Sequence, residues 1–460
     1  MELEVAKKLI TKYEGLHADF LAKANIAMRY YLGNNDIMHR KPKDKCDEPL
    51  RNADNRIAFN FHGLLVDQKA SYLFTAPPIF DTKDDTLNEI VAATLGDGYA
   101  KKCKDLCVDA SNAGVGWLHY WIDDKKGFSY AVVPSAQVYP VYSLRLEKEL
   151  EAVLRTYRMV DDSGMEWQIY ELWNDTECQA YRKHADIFQP FDMFSCATLD
   201  GMVQPTSVYK HNLGAVPFIA FPNNNVCTSD LDKIKHLIDS YDKTYSGFVD
   251  DLEDIQQVIF VLTNYGGANL KQFLSDFKYY KTIQTESAGS DDKSGVSTLT
   301  IDIPVEARDK LLDITRKAIF DMGQGIDPQQ QGFDNTSGEA MKFLYSLLEL
   351  KAGLMETEFR QGFGELVRAI SRHYSGKEPE QIIQTWTRTS IRNDAELVDM
   401  CSKSVGVISN KTILKNHPFV ENAEDEEKEL AAEKEQAAKA ADIYRKAFNQ
   451  QGGENVDDNE

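Results

Sequence analysis

The sequence predicts a mixed α+β fold in which long amphipathic helices flank two β regions. Residues 117–221 alternate apolar and polar side chains between turn signals, which is the pattern of antiparallel strands. From Ser229 onward, apolar residues recur every three to four positions, which is the helical period. That period returns in two later segments, which begin at Pro304 and near Ser337.

The N-terminal part predicts helices separated by one polar arm. Residues 1–32 form an amphipathic pattern, and residues 33–56 are polar and rich in helix breakers, so we expect a loop or arm there. A helical period resumes in RIAFNFHGLLVDQKASYLF and must stop at Pro77-Pro78. A further helix is expected over residues 85–112.

The central β region opens with a predicted hairpin. WLHYWID and FSYAVV alternate in polarity and flank the turn sequence DDKKG. The following runs continue the alternation, so we expect a mostly antiparallel region up to residue 221.

A small β lobe between two helices is the next predicted feature. The helical stripe that starts at Ser229 predicts one helix of residues 229–262, with Ser229 as its cap. Two candidate strands, YYKTIQTES and VSTLTIDI, follow within residues 263–303. Pro304 then suits the first position of a second helix, which Gly323 would end.

The segment GIDPQQQGFDNTSGEAMKF combines a nearly uncharged loop with a helix start. Asn335, Thr336 or Ser337 can cap a helix that continues to about Tyr374. Short helices are expected over 394–420, followed by a helical and then disordered tail. Residues 421–460 hold 13 acidic and 5 basic residues, a net charge of −8.

Composition limits the function classes. The net charge of the 460 residues is −21, so the basic footprint usual in proteins that grip nucleic acid is missing. Such acidity is also typical of a surface that only keeps a protein in solution. The seven cysteines include no CxxC pair, so we expect reduced thiols. No apolar run is long enough to span a bilayer, and no membrane partner is expected.

Motifs for catalysis are missing from the sequence. It has no GxxxxGK[ST], HExxH or GxSxG pattern, and Gly323-Gln324-Gly325 follows a helix rather than a strand. His62 lies on an apolar face, which is more typical of a core histidine than of a base. Asp250 and Asp254 share a helix face, but further metal ligands do not stand out, so a solvated acidic face is favoured. We therefore expect no enzyme, no cofactor and no metal.

Five segments in a fixed order resemble a known family. They are RIAFNFHGLLVDQKASYLFTAPPI, GWLHYWIDDKKGFSYAVVPSAQVYPVY, LGAVPFIAFPNNNVCTSDLDKIKHLIDSYDKTYSGFVDDLEDIQQ, SGEAMKFLYSLLELKAGLMETEF and GVISNKTILKNHPFVENAEDEEKEL. In this order and spacing they resemble the portal, or head–tail connector, proteins of long-tailed bacteriophages of the siphophage type. The resemblance covers roughly residues 50–430.

The resemblance implies a portal fold with an α/β wing, a two-helix stem, a small α/β clip, a long tunnel helix and a helical C-terminal crown. The implied segments, in chain order, are wing 1–228, first stem helix 229–262, clip 263–303, second stem helix 304–322, tunnel loop 323–336, long helix and following segment 337–393, and crown with acidic tail 394–460.

The resemblance also implies a function. Such subunits form a ring of about twelve at one capsid vertex, and double-stranded DNA passes through the central channel during packaging and ejection. The implied partners are further copies of the chain, the terminase large subunit, a head-completion adaptor, the scaffold and the major capsid protein. The location would be the virion, after assembly in the host cytoplasm. The alternatives are another head-completion or minor head protein, or an intracellular hydrolase or nuclease.

Three groups of residues are candidates for this function. The tunnel loop and the helix after it would contact DNA, and Lys342 could equally be an ordinary surface lysine. An acidic stem would repel the duplex and let it slide. The clip tip would dock terminase or the adaptor, although its charge could serve only solubility. These residues are Gln329, Gln330, Gln331, Asp334, Asn335 and Lys342 for the channel, Asp239, Asp242, Asp250, Asp251 and Asp254 for the stem, and Asp291, Asp292 and Lys293 for the clip.

Overall fold

The computed structural model describes residues 2–42, 53–123, 125, 127–197, 202–255, 259–263, 295–299, 304–329, 338–388, 394–420 and 423–451. Its helices, in chain order, are α1 Leu3–Tyr31, α2 Phe61–Leu73, α3 Asp85–Leu95, α4 Tyr99–Ala113, α5 Lys235–Ile255, α6 Val305–Gly323, α7 Gly338–Ser375, α8 Asp394–Lys403, α9 Asn410–Asn416 and α10 Ala423–Gln451. Short 3₁₀ turns occupy Asp36–His39, Ser135–Gln137 and Asp230–Lys233.

All the strands that the structure describes pair in the antiparallel sense. They are β1 Ile79–Asp81, β2 Val115–Asp123, β3 Gly127–Val133, β4 Val138–Tyr142, β5 Leu150–Val160, β6 Glu166–Trp173, β7 Glu177–His184, β8 Ile187–Pro190, β9 Phe194–Ala197, β10 Val203–Thr206, β11 Val208–Lys210, β12 Phe218–Pro222, β13 Ile259–Thr263, β14 Gly295–Leu299 and β15 Ile383–Thr385. The largest sheet has the order β11-β7-β6-β5-β4, with β8 on β7, and a second sheet has the order β12-β2-β3. The pairs β1-β15, β9-β10 and β13-β14 complete the pattern.

The predicted N-terminal helix and central β region are confirmed, and two helices are corrected. The helix expected to begin in RIAFNF begins only at Phe61, where Asn60 caps it, and residues 53–60 are not helical. The hairpin around DDKKG forms, with Trp117 opposite Val133 and Asp123 opposite Gly127. The single helix expected over 85–112 is instead two helices, because Gly96 adopts φ 67 and ends α3. Gly114 ends α4 with φ 87. An added Cβ there would lie 2.3 Å from the carbonyl oxygen of Cys227, so only glycine fits.

The first predicted stem helix is too long at both ends. A 3₁₀ turn precedes α5, and α5 ends at Ile255 rather than Leu262. Residues 259–262, which we placed in this helix, belong instead to β13. This strand pairs with β14 so that Ile259 lies opposite Leu299. Runs of β-branched and aromatic residues favour strands, and here that preference overrode the helical period. The other candidate strand, YYKTIQTES, lies outside the described residues.

The later helices agree with their predictions. Pro304 lies at the N-cap of α6, one position before the expected one, and α6 ends at Gly323. The long helix α7 ends at Ser375, one residue beyond the predicted end. Helices α8, α9 and α10 fill the regions predicted to be helical, and the tail beyond residue 451 lies outside the described residues.

Two hydrophobic clusters position the functional region. The larger one packs α3, α4 and the β2-β3 hairpin around the buried face of α7, including Phe359 and Phe363. The second joins α1, α2, α5 and α6 through residues such as Tyr30, Leu65 and Phe320. The chain divides into two compact units, one of residues 1–328 and 347–388 and the other of residues 329–346 and 389–460.

Candidate functional site

The first unit contains a buried charge cluster near the start of α5 and the end of α6. We call it the Asp230 cluster and define it by Lys69 of α2, Asn223, Asp230, the Gly323 carbonyl and Lys351 of α7. The Lys69 Nζ atom lies 2.6 Å from Asp230 Oδ2 and 2.7 Å from Asn223 Oδ1. The Lys351 Nζ atom lies 3.1 Å from the same Asp230 oxygen and donates to the Gly323 carbonyl at 2.9 Å.

This cluster carries two cations and one anion, all buried. Burial by itself would raise the pKa of Asp230, but Lys351, Lys69 and their hydrogen bonds hold that pKa well below its usual range. Burial lowers the pKa of Lys351, and Asp230 opposes that change. The single carboxylate of Asp230 therefore offsets the cost of burying two ammonium groups. Its contacts join the turn before α5 to α2, α7 and the end of α6.

The sequence did not predict that Lys69 and Lys351 are buried in this cluster, although the position of Lys69 gave an indication. Lys69 interrupts the apolar face of α2, between Leu65, Val66, Ala70 and Leu73, all of which are buried. His62, predicted to be a core histidine, is 1% exposed, and its Nε2 lies 2.8 Å from Asn112 Oδ1. Burial lowers the pKa of His62 to about 4, so the neutral ring is favoured near neutral pH.

The chain leaving α6 is firmly held for its first residues. The side-chain amide of Gln68 accepts from Ile326 N at 3.0 Å and donates to Ile326 O at 2.8 Å. Both carboxylate oxygens of Asp327 accept from Arg316, at 2.7 and 2.9 Å. A Cβ added at Gly325 would lie 2.0 Å from Leu65 Cδ2, so the backbone approaches α2 closely.

The predicted tunnel loop, residues 323–336, is therefore held by contacts to α2 and α6 at residues 325–327. Gln329 is exposed. Gln330, Gln331, Asp334 and Asn335 lie outside the described residues. Lys342 lies in α7, but its side chain is also outside the described part. The DNA contacts that we expected of these residues remain predictions.

The acidic residues of α5 do not form the solvated face that we expected. Asp242 is 0% exposed and Asp250 is 5% exposed. Their oxygens accept hydrogen bonds from residues 53–59, which we call the strap. The bonds join Phe59 N to Asp242 Oδ1 at 3.0 Å, Ile57 N to Ser246 Oγ at 3.0 Å, Asn55 N to Asp250 Oδ1 at 2.6 Å, and Ala53 N to Asp254 Oδ1 at 3.2 Å.

These four bonds form a ladder with matched periods. Every second N–H group of the strap meets every fourth side chain of α5, from Asp242 to Asp254. Two residues of an extended chain span about 6.7 Å, and four helical residues rise about 6 Å, so the two repeats stay in step. The spacing DxxxSxxxDxxxD can be read from the sequence, but nothing in the sequence indicated that the strap would bind to it.

Asp239 and Asp251 also have internal partners. Asp239 accepts from Tyr30 Oη and from Lys235 Nζ, the latter at 2.8 Å. Asp251 pairs with Arg308 of α6. Burial raises the pKa of Asp242 to about 6, although the hydrogen bonds from Asn35 and Phe59 favour the charged form. These acidic side chains of α5 thus serve as acceptors that join α5 to the strap, α1 and α6.

Asp291, Asp292 and Lys293 of the predicted clip tip lie outside the described residues. Within the described ranges, no group of three or more His, Cys, Asp or Glu side chains is arranged to hold a metal ion. No helix in the described parts of the chain is both long and apolar enough to cross a bilayer.

Similar structures have been solved in gene transfer agent (GTA) particles. A chain from the neck of an empty particle, computed with C6 symmetry, has a TM-score of 0.46 and 12% identity, covering 77% of this chain and 88% of that chain. A chain from the neck of a native particle, computed with C12 symmetry, has a TM-score of 0.39 and 12% identity over the same shares.

Comparison of sequences gives a stronger result. The family model described as phage portal protein, SPP1 Gp6-like, matches residues 11–440. The portal protein of Clostridium phage phiCD119 is 41% identical, covering 96% of this chain and 99% of the relative. The portal protein of Bacillus phage SPP1 is 30% identical, covering 93% and 86%. With a family match over most of its length and a relative this similar from end to end, the chain belongs to the SPP1 Gp6-like family of phage portal proteins.

Proposed function

We propose that the chain is the subunit of a closed ring of about twelve copies at one capsid vertex, through which double-stranded DNA is packaged and ejected. The observation that carries this proposal is the family match over residues 11–440. The ring would be a structural conduit without catalysis of its own, present in the virion and assembled in the host cytoplasm.

An apolar stripe on α6 supports association with further copies. Leu311 is 47% exposed, Ile314 is 57% exposed and Met322 is 59% exposed. They are three and eight residues apart, and Ala318 lies between the last two, so all four share one side of the helix. Identical head-to-tail contacts around an axis close into rings, and such a stripe would be buried against the neighbouring stem.

The partners of the ring follow from its task. We place the docking of the terminase large subunit or the head-completion adaptor on the clip, with Asp291, Asp292 and Lys293 as candidates. Scaffold and major capsid protein would contact the ring during assembly. Residues 329–336 and Lys342 remain our candidates for DNA contacts. The repulsive acidic lining is not proposed for α5, because its carboxylates bind within the subunit.

Light scattering behind a sizing column tests the ring. Twelve copies of 52.1 kDa have a mass of 12 × 52.1 kDa, about 625 kDa, and the purified chain should reach that range. A mass that stays at one or two subunits in the presence of scaffold would contradict the ring. Deleting Gln329–Gln331 should keep the ring mass and lower the amount of DNA packaged, whereas normal packaging would refute the role of these glutamines.

A further inference from the structure

The stem helix α5 and the turn before it expose less negative charge than their composition suggests. Of the eight acidic side chains from Asp230 to Asp254, only Asp232 and Glu253 are exposed. The other six accept hydrogen bonds or ion pairs inside the subunit. The sequence net charge of this segment therefore says little about what α5 offers to a partner.

Basic and small polar residues occupy its exposed side. Lys233, His236, Ser240 and Lys243 are exposed and alternate at spacings of three and four residues. Gly247 continues the same row and is half-buried. We call these five residues the α5 stripe. From His236 to Gly247 it runs about 16 Å along the helix.

Between His236 and Gly247 no exposed carboxylate interrupts the stripe, whereas the exposed Asp232 lies beside Lys233 at its start. The two acidic side chains between His236 and Gly247 are Asp239, which is bonded to Tyr30 and Lys235, and Asp242, which is bonded to Asn35 and the strap. Asp251, further along, pairs with Arg308. Within the described residues, no ion pair involves Lys243.

The stripe begins where the chain leaves α6. Lys233 Nζ lies 3.4 Å from Gln324 Oε1. Gln324 is the first residue after α6, at the start of the connection that we place at the channel. The basic end of the stripe and that connection therefore lie on the same side of the subunit.

We propose that the α5 stripe faces the channel and that Lys233 and Lys243 make transient contacts with the phosphate backbone of duplex DNA. This inference rests on the proposed ring. Lysine binds phosphate as a flexible point charge, without reading sequence. Each such contact releases counterions and weakens steeply with salt, which permits a duplex to slide. Two lysines per subunit would bind the duplex weakly and reversibly, which a fully acidic channel wall would not do.

The test uses assembled rings of the full chain and a fluorescent 40-base-pair duplex at several NaCl concentrations. We expect Lys233→Gln with Lys243→Gln to weaken binding at least fivefold at low salt. The slope of log affinity against log salt should also become shallower, by about 0.9 for each phosphate that the variant ring no longer neutralises. The matched control is Lys310→Gln with Lys317→Gln, which removes the same charge from exposed positions of α6 and should change affinity less than twofold.

Three results of the binding assay would overturn the proposed contacts between the α5 stripe and DNA. The first is unchanged affinity and slope in the α5 variant. The second is an equal loss in the α6 control, which would indicate bulk charge. The third is a wild-type ring that binds no duplex at any salt concentration. Ring mass is measured on every sample, so failure of the stripe is distinguished from failure of the ring. A photocrosslinker at Ser240 should also label DNA in packaged particles, and labelling only from Asp313 of α6 would place the channel on the other helix.

Discussion

Asp230 is the single anion between two buried ammonium groups, so its role can be separated from theirs by substitution. Lys69 is 1% exposed and Lys351 is 8% exposed. A buried ion pair gains little net stability, but removing one partner leaves an uncompensated charge in a medium that solvates it poorly. The cluster has one cation more than it has anions, so substitutions of Asp230 and of Lys351 should differ in their effect on stability.

We expect Asp230→Asn to lower the free energy of unfolding by about 3–5 kcal/mol, because both ammonium groups lose their counter-charge. Lys351→Met should lose about 1–3 kcal/mol, since it leaves a neutral Lys69–Asp230 pair and costs the Gly323 carbonyl its donor. The double variant should lose clearly less than the sum. Urea unfolding measures all three, with exposed Lys317→Met as the control, and simple additivity would contradict the coupling.

Asp242 gives a pH dependence of known sign. Its pKa in the folded protein is raised to about 6, above the ordinary value of about 3.9 for an aspartate in an unfolded chain. Between these values the folded state binds more protons, so this residue makes the free energy of unfolding fall as pH rises from about 4 to about 6. Asp242→Asn should remove that fall, seen as a difference between the urea curves of variant and wild type across this range.

The control for this pH effect is Asp19→Asn, which replaces an exposed carboxylate of α1. It should leave the pH dependence of the wild type in place. A difference curve for Asp242→Asn that stays flat from pH 4 to pH 6 would mean that burial does not perturb this carboxylate.

At the scale of elements, α5 binds the strap mainly through the backbone N–H groups of the strap rather than through its side chains. The N–H groups of Ala53, Asn55, Ile57 and Phe59 point to α5, and the carboxylate and hydroxyl oxygens of the helix accept them. A further bond joins Asn55 Nδ2 to Asp250 Oδ1 at 3.0 Å. This contact should therefore tolerate many side-chain changes in the strap but not the loss of an N–H group.

Proline tests this alternation because it removes the N–H group and still fits an extended chain. Ile57→Pro deletes the bond to Ser246 Oγ and should lower the free energy of unfolding by about 1–3 kcal/mol. Ala58→Pro, one residue on, removes an N–H group outside the ladder and should have a clearly smaller effect. Equal effects of the two prolines in urea unfolding would show that the ladder adds no stability.

Local sequence patterns predicted the elements well where a segment fitted only one type of secondary structure. The period of α7, the hairpin at DDKKG and the stop before Pro77 each depend on neighbouring residues, and each was confirmed. The end of α5 was missed because Ile259–Thr263 suits both a strand and the apolar stripe of a helix. Pairing with Gly295–Leu299, more than 30 residues away, decides the outcome.

At the scale of the whole molecule, net charge was a poor guide to surface charge. The segment from Asp230 to Asp254 counts eight acids against three lysines, yet its exposed ionic side chains are two acids and two lysines. Which acids turn inward depends on partners such as Lys69, Asn55 and Arg308, which are distant in sequence. The resemblance gave the family, but the roles of these carboxylates came only from tertiary contacts.

Ring formation is the property on which the function of the whole molecule depends, and the α6 stripe should control it. Leu311→Glu and Ile314→Glu place charges where we expect a neighbouring stem to bury apolar surface, so the mass should fall from the ring range toward a single subunit. Both side chains are about half-exposed in the subunit, so far-UV circular dichroism and thermal unfolding of the monomer should change little. Lys317→Glu, about 100° around α6 from the centre of the stripe, makes the same total change of charge as the double variant and should leave rings intact. Rings of normal mass in the Leu311→Glu, Ile314→Glu double variant would place the contact between subunits elsewhere.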